Sequence, residues 1–177
     1  MRLGVKIGFF TLMAGFLVSL LALGSFQQQK PVEPVNFREL LFFLVDLPGW
    51  EAEEEPEGAT IAYGEYKVSQ VQRYYSAGEQ SLSITVVDGA YVPMVYGNFQ
   101  AYKNFEVDSS DEYIKGTTFK GYPAVESYEY EPESGFLMVL VADRFLVTLE
   151  GDPIGNLDEL KEVANLLPWS KLASLAR

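Results

Sequence analysis

The 177-residue chain contains no cysteine and no histidine. The first absence excludes disulfides, thiolate metal sites, thiol redox chemistry and lipid attachment through a cysteine. The second excludes imidazole ligation, and the two together exclude Ser-His and Cys-His catalysis. Bases are scarce as well: 13 Lys and Arg stand against 25 Asp and Glu, for a net charge of −12. Arg2 and Lys6 belong to the extreme N-terminus, so the remainder is more acidic still. Such a body is repelled by nucleic-acid phosphates and by anionic lipid surfaces. The chain carries no Gly-x-Ser-x-Gly, Ser-x-x-Lys, phosphate-loop or dinucleotide motif, and no Asn-x-Ser/Thr acceptor. What is present is a composition of 48% hydrophobic and 21% charged residues, enough for a packed core. The length suits one domain with a short extension.

That extension is the N-terminus. Behind Arg2 and Lys6, residues 7–26 carry no charge. A cation-led apolar run marks a signal peptide or a membrane anchor, with its positive end cytoplasmic. Ala22-Leu23-Gly24 offers small residues for cleavage before Ser25. Retained as a helix, the run is about 30 Å long and spans a bilayer core. Either outcome places residues 27–177 outside the cytoplasmic membrane, as a single-pass membrane protein or as a periplasmic or secreted one. Residues 27–35, with Pro31 and Pro34, read as an extended linker. Residues 36–177 form the exported domain.

Within that domain, Asn36 and Glu39 have the spacing of a capping box, opening a helix whose apolar face is Leu40, Leu41, Phe43 and Leu44. Pro48-Gly49 ends it, and an acidic loop follows at 51–58. Period two then takes over. A weak strand over 61–66 precedes one over 68–76, with Val71, Arg73 and Tyr75 on one face and Gln70, Gln72 and Tyr74 on the other. Ala77-Gly78-Glu79 turns the chain into a partner strand over 81–87. A helix is predicted over 93–106, led by Pro93 and striped by Met94, Val95, Phe99, Tyr102 and Phe105. Strands follow near 113–119, 124–130, 136–141 and 145–150. The last two are almost continuously apolar, as in strands buried on both faces. Asn156 and Glu159 cap a final helix that Pro168 stops. The order predicts an α+β fold: an antiparallel sheet flanked by helices, an α/β/α sandwich.

This order resembles the PsbP/Mog1-like fold group over about residues 36–167. The residues that carry the resemblance are the Leu47-Pro48-Gly49-Trp50 turn, Lys120-Gly121-Tyr122-Pro123-Ala124, Arg144 to Leu149, and the helix from Leu157 to Leu167. The resemblance implies a non-catalytic exported accessory or binding protein, and supplies no catalytic motif to transfer.

With His and Cys absent, chemistry is left to carboxylates, Tyr, Lys or an oxygen-ligated metal. Glu126, Glu129 and Glu131, with Asp143 and Glu150, are the carboxylates a glycosidase pair would draw on. In alternation with Tyr128 and Tyr130 they read more simply as a solvated strand face. Asp108-Ser109-Ser110-Asp111-Glu112 has oxygen ligands for calcium but not the spacing of a calcium loop. Aromatics are the stronger signal, with 11 tyrosines crowding the middle of the chain. Tyr joins an apolar ring to a polar tip and suits binding surfaces. The predicted recognition surface is a cleft between the 93–106 helix and the strand bearing Tyr128 and Tyr130. Its candidate residues are Tyr96, Phe99, Tyr102, Tyr128 and Tyr130. Arg144 is added to pair with an acid or to orient an anionic ligand. The functional expectation is an exported, non-catalytic protein that binds an unidentified protein partner or small ligand, with no cofactor, no metal and no nucleic acid. The alternatives are a carboxylate-based, calcium-dependent hydrolase and a structural homodimer.

Overall fold

The computed structural model describes residues 32–176, and the apolar run at 7–26 lies outside them. No helix among the described residues is long and apolar enough to cross a membrane. The first element among the described residues is α1 (Phe37–Leu40), which continues as a single 3-10 turn, Leu41–Phe43. The strands are β1 (Glu51–Ala52), β2 (Glu57–Tyr63), β3 (Tyr66–Ala77), β4 (Gln80–Asp88), β5 (Glu106–Asp108), β6 (Glu112–Phe119), β7 (Tyr122–Glu129), β8 (Ser134–Val141) and β9 (Phe145–Gly151). A 3-10 turn over Pro93–Tyr96 leads into α2 (Gly97–Tyr102), and the chain ends with α3 (Leu157–Asn165) and α4 (Trp169–Ser174).

All nine strands join one sheet in the order β1-β3-β4-β9-β8-β7-β6-β5, with β2 also on β3, and every pairing is antiparallel. Alternation sorts the side chains onto two faces. On the first face, Val71, Tyr75, Ile84, Leu137, Val139, Val147 and Leu149 pack against Leu40 and Phe43, and against Leu160, Val163, Trp169 and Leu172 of the C-terminal helices. On the second, Ile114, Val125, Met138, Leu140 and Leu146 meet Tyr96 and Phe99. The central strands β8 and β9 feed both clusters, which is why their sequences do not alternate. The second face is covered mainly around Ile114, Val125, Met138, Leu140 and Leu146. Over β3 and β4 it carries Gln70, Gln72, Tyr74, Ser83 and Thr85, and none of these is buried.

Local departures from the sequence pattern have physical causes. Asn36 caps α1 by accepting from the Arg38 amide, yet the α-helix lasts four residues. The bulky run Leu41-Phe42-Phe43 then tightens to a 3-10 turn, and only Phe43 of the three is fully buried. The helix predicted over 93–106 stops at Tyr102, and Glu106–Asp108 becomes an edge strand instead. Gly116 lets that edge pack: a Cβ there would lie 1.9 Å from the Lys103 carbonyl oxygen. Beyond Pro168, where the sequence pattern stops, α4 turns back onto the core through Trp169, whose Nε1 donates to the Ala164 carbonyl at 2.7 Å.

One buried ion pair ties the N-terminal segment to the sheet. Asp88, at the end of β4, is 0% exposed and accepts from Arg144 Nε at 3.0 Å and Nη2 at 2.8 Å. Its oxygens also accept the amides of Val35 and Ala90. Arg144 Nη2 donates in addition to the Glu33 carbonyl, and Lys67 bonds the Glu33 carboxylate. Glu33 and Val35, read from the sequence as the end of a linker, are therefore held against the body. Tyr96 completes the arrangement by donating to the Arg144 carbonyl at 2.6 Å.

Candidate functional site

The most distinctive concavity is a groove of about 510 Å³ on the first face, where β6 and β7 meet the start of α3. Register builds it. Tyr113 on β6 lies opposite Tyr128 on β7, and Tyr128 lies opposite Gly135 on β8. A Cβ at Gly135 would come within 3.1 Å of the Tyr128 ring, so the glycine leaves room for that ring to lie across β8. Tyr128 thereby reaches the β9–α3 loop, where its hydroxyl is 3.0 Å from the carbonyl oxygens of both Ile154 and Gly155. Tyr130 stands edge-to-face against it, with ring centroids 5.5 Å apart and planes at 75°. The Tyr130 amide is fixed by the Asp111 carbonyl.

The floor is polar. Glu126, nearly buried, receives the Tyr113 hydroxyl on Oε1 at 3.1 Å and the Lys161 ammonium 2.9 Å from Oε2. Lys161 also sits 3.8 Å from Asp158. Asn156 caps α3 by accepting from the Asp158 and Glu159 amides, which fixes this wall. Burial raises the Tyr128 hydroxyl above its ordinary pKa, and the carboxylates of Glu133 and Glu159 push the same way. Tyr113 is raised by burial and by its bond to Glu126. Both phenols therefore stay protonated at neutral pH and present a neutral donor on an apolar ring.

Of the six sequence candidates, only Tyr128 and Tyr130 belong to this groove. Tyr96 and Phe99 are buried in the opposite cluster. Tyr102 is exposed and stacks edge-on against Phe105 at 6.0 Å. Arg144 is committed to Asp88. The cleft expected between the 93–106 helix and the Tyr128 strand does not form, because helix and tyrosines lie on opposite faces of β7. Val125 points toward α2, and three residues on, an odd step, Tyr128 points away from it. The same parity separates Glu126 from Glu129, so they form no pair across one site. Tyr113, Gly135 and Lys161 were missed as site residues. Only the β6–β7–β8 register brings the first two to Tyr128, although Asp158 and Lys161 already had helical i,i+3 spacing.

A second concavity of about 480 Å³ is lined by Lys120, Tyr122, Asn165 and the start of α4. Its deepest aromatic, Trp169, is spent on core packing against Phe43 and Phe119. The Ser109–Glu112 turn closes on itself, with Ser109 Oγ accepting from the Asp111 and Glu112 amides. Among the described residues, no three acids gather as a metal site would need. Comparison with protein-family models, with curated proteins and with solved structures found no match.

Proposed function

We propose that this chain is an exported protein that recognises a partner or small ligand through the Tyr113–Tyr128–Tyr130 groove and performs no chemistry on it. The observation that carries this reading is the state of Glu126. It is the carboxylate on the groove floor, and both of its oxygens are engaged, one by Lys161 and one by Tyr113. To act as a general acid or base, Glu126 would have to compete with these two partners for the proton it moves, which disfavours that role. A recognition site needs what surrounds Glu126: rigid amphipathic rings with satisfied polar groups behind them. Export rests on the cation-led apolar run at 7–26, which acts as a signal peptide or as an anchor. The body is an α/β/α sandwich of the α+β class, and an accessory role agrees with the fold-group resemblance.

Hydrogen exchange tests this reading. The full chain is compared alone and in a detergent extract of the cells that make it. Exchange should slow in 126–133 and 155–161 when the extract is present. Protection elsewhere with an unaffected groove, or turnover of a substrate by the purified chain, would contradict it.

A further inference from the structure

The groove joins two features that together select for charge. Its walls are tyrosine rings, and its lining holds three carboxylates (Glu126, Glu133 and Asp158) against the single ammonium of Lys161. Glu159 adds to the negative field felt at Tyr128. An anion is repelled there. A hard metal cation is poorly served, because it needs several converging oxygens and Glu126 is already engaged. An organic ammonium suits both features: its positive charge is drawn to ring faces and to carboxylates, and its alkyl groups lose little on leaving water. The chain supplies its own example in Lys161, whose ammonium lies between Glu126 and Asp158.

Building on the recognition reading above, we propose that the ligand is a small organic cation with an alkylated ammonium head. The head seats against Tyr128 and Tyr130, with Glu133 and Asp158 supplying the countercharge. Lys161 competes for the same negative field and sets the affinity below what the empty groove would give.

The probe is choline, titrated calorimetrically into the full chain, with 3,3-dimethylbutan-1-ol as its neutral isostere. Choline should bind saturably and about tenfold or more tightly than the isostere, in line with the worth of a cation over aromatic rings. Raising the salt should weaken it. Tyr130→Leu, at an exposed position, should weaken choline binding about tenfold while leaving the circular dichroism unchanged. Lys161→Gln should strengthen it severalfold, the opposite direction to any loss of folding. Equal binding of choline and its isostere would overturn the ammonium assignment while leaving the groove as a recognition site. Absence of choline binding at tens of millimolar, or weaker binding in Lys161→Gln, would overturn it as well. Loss of the recognition reading shows separately, as unchanged exchange at 126–133 and 155–161.

Discussion

Asp88→Ala should lower the stability of the folded body by about 3–5 kcal/mol, the usual cost of removing one partner from a buried ion pair. The reason is what stays behind. Arg144 is 7% exposed, and two of its three guanidinium nitrogens, Nε and Nη2, donate to Asp88. Without the carboxylate, the charge remains buried and the amides of Val35 and Ala90 lose their acceptor. Arg144→Met should be costly for the mirror-image reason, and the double variant should cost less than the two singles together. Chemical denaturation measures all three, and hydrogen exchange should show the Val35 amide opening first. An Asp88→Ala protein within about 1 kcal/mol of the original, the scale of an exposed pair, would show that the ion pair is not desolvated. The same node has an alkaline signature. Burial pushes the Tyr96 hydroxyl up to about 12, from an ordinary 10.0. The folded state therefore holds this proton more tightly than the unfolded chain does. Its contribution is complete below pH 10 and is lost as the pH climbs toward 12. Tyr96→Phe should flatten that decline.

Phe43→Ala should cost about 3–5 kcal/mol and lower the melting temperature by about 10 °C or more. Phe43 is 0% exposed and stands edge-to-face with Trp169 at 5.2 Å. It joins the 41–43 turn to α4 across the first face, so its removal leaves a cavity with walls from both elements. Neither wall is free to collapse. Trp169 is pinned by its bond to Ala164 and by Phe119, while the turn is anchored through Leu40 and Leu44. Phe43 does not line the groove, so choline affinity should be unchanged in the surviving folded fraction. A loss below about 1.5 kcal/mol, typical of volume-conserving changes, would mean that the 41–43 turn and α4 pack loosely.

From β3 onward most of the sheet was legible in the sequence because its strands follow simple rules. The strand read over 61–66 instead spans the Gly64-Glu65 turn between β2 and β3, and the loop read over 51–58 holds β1 and the start of β2. Val71 and Tyr75 alternate with Gln70, Gln72 and Tyr74 as a half-covered strand requires. The unbroken apolar runs in β8 and β9 announced burial on both faces. Asn156 announced its helix through the cap. Element ends were less legible. Nothing local says that Leu41-Phe42-Phe43 tightens to a 3-10 turn, or that the chain after Pro168 folds back as another helix, because both are set by tertiary packing around Trp169. The site was half legible. Tyr128 and Tyr130 were identified by their chemistry, but their neighbours depend on pairing parity, which a single strand's sequence does not contain. Tyr96, Phe99 and Tyr102 have the same composition signal and lie on the other face of the sheet. Arg144 interrupts an apolar run as a ligand-binding arginine would, yet its partner is Asp88, 56 residues earlier.

The groove claim has a direct test in the contrast between Tyr130 and Tyr102, two exposed tyrosines on opposite faces. A photo-activated cross-linking residue is placed at one position or the other in the full chain, in the cells that make it. Irradiation should give a discrete adduct from position 130 and none from position 102. An adduct from position 102 with position 130 silent would put recognition on the wrong face for this account and contradict it.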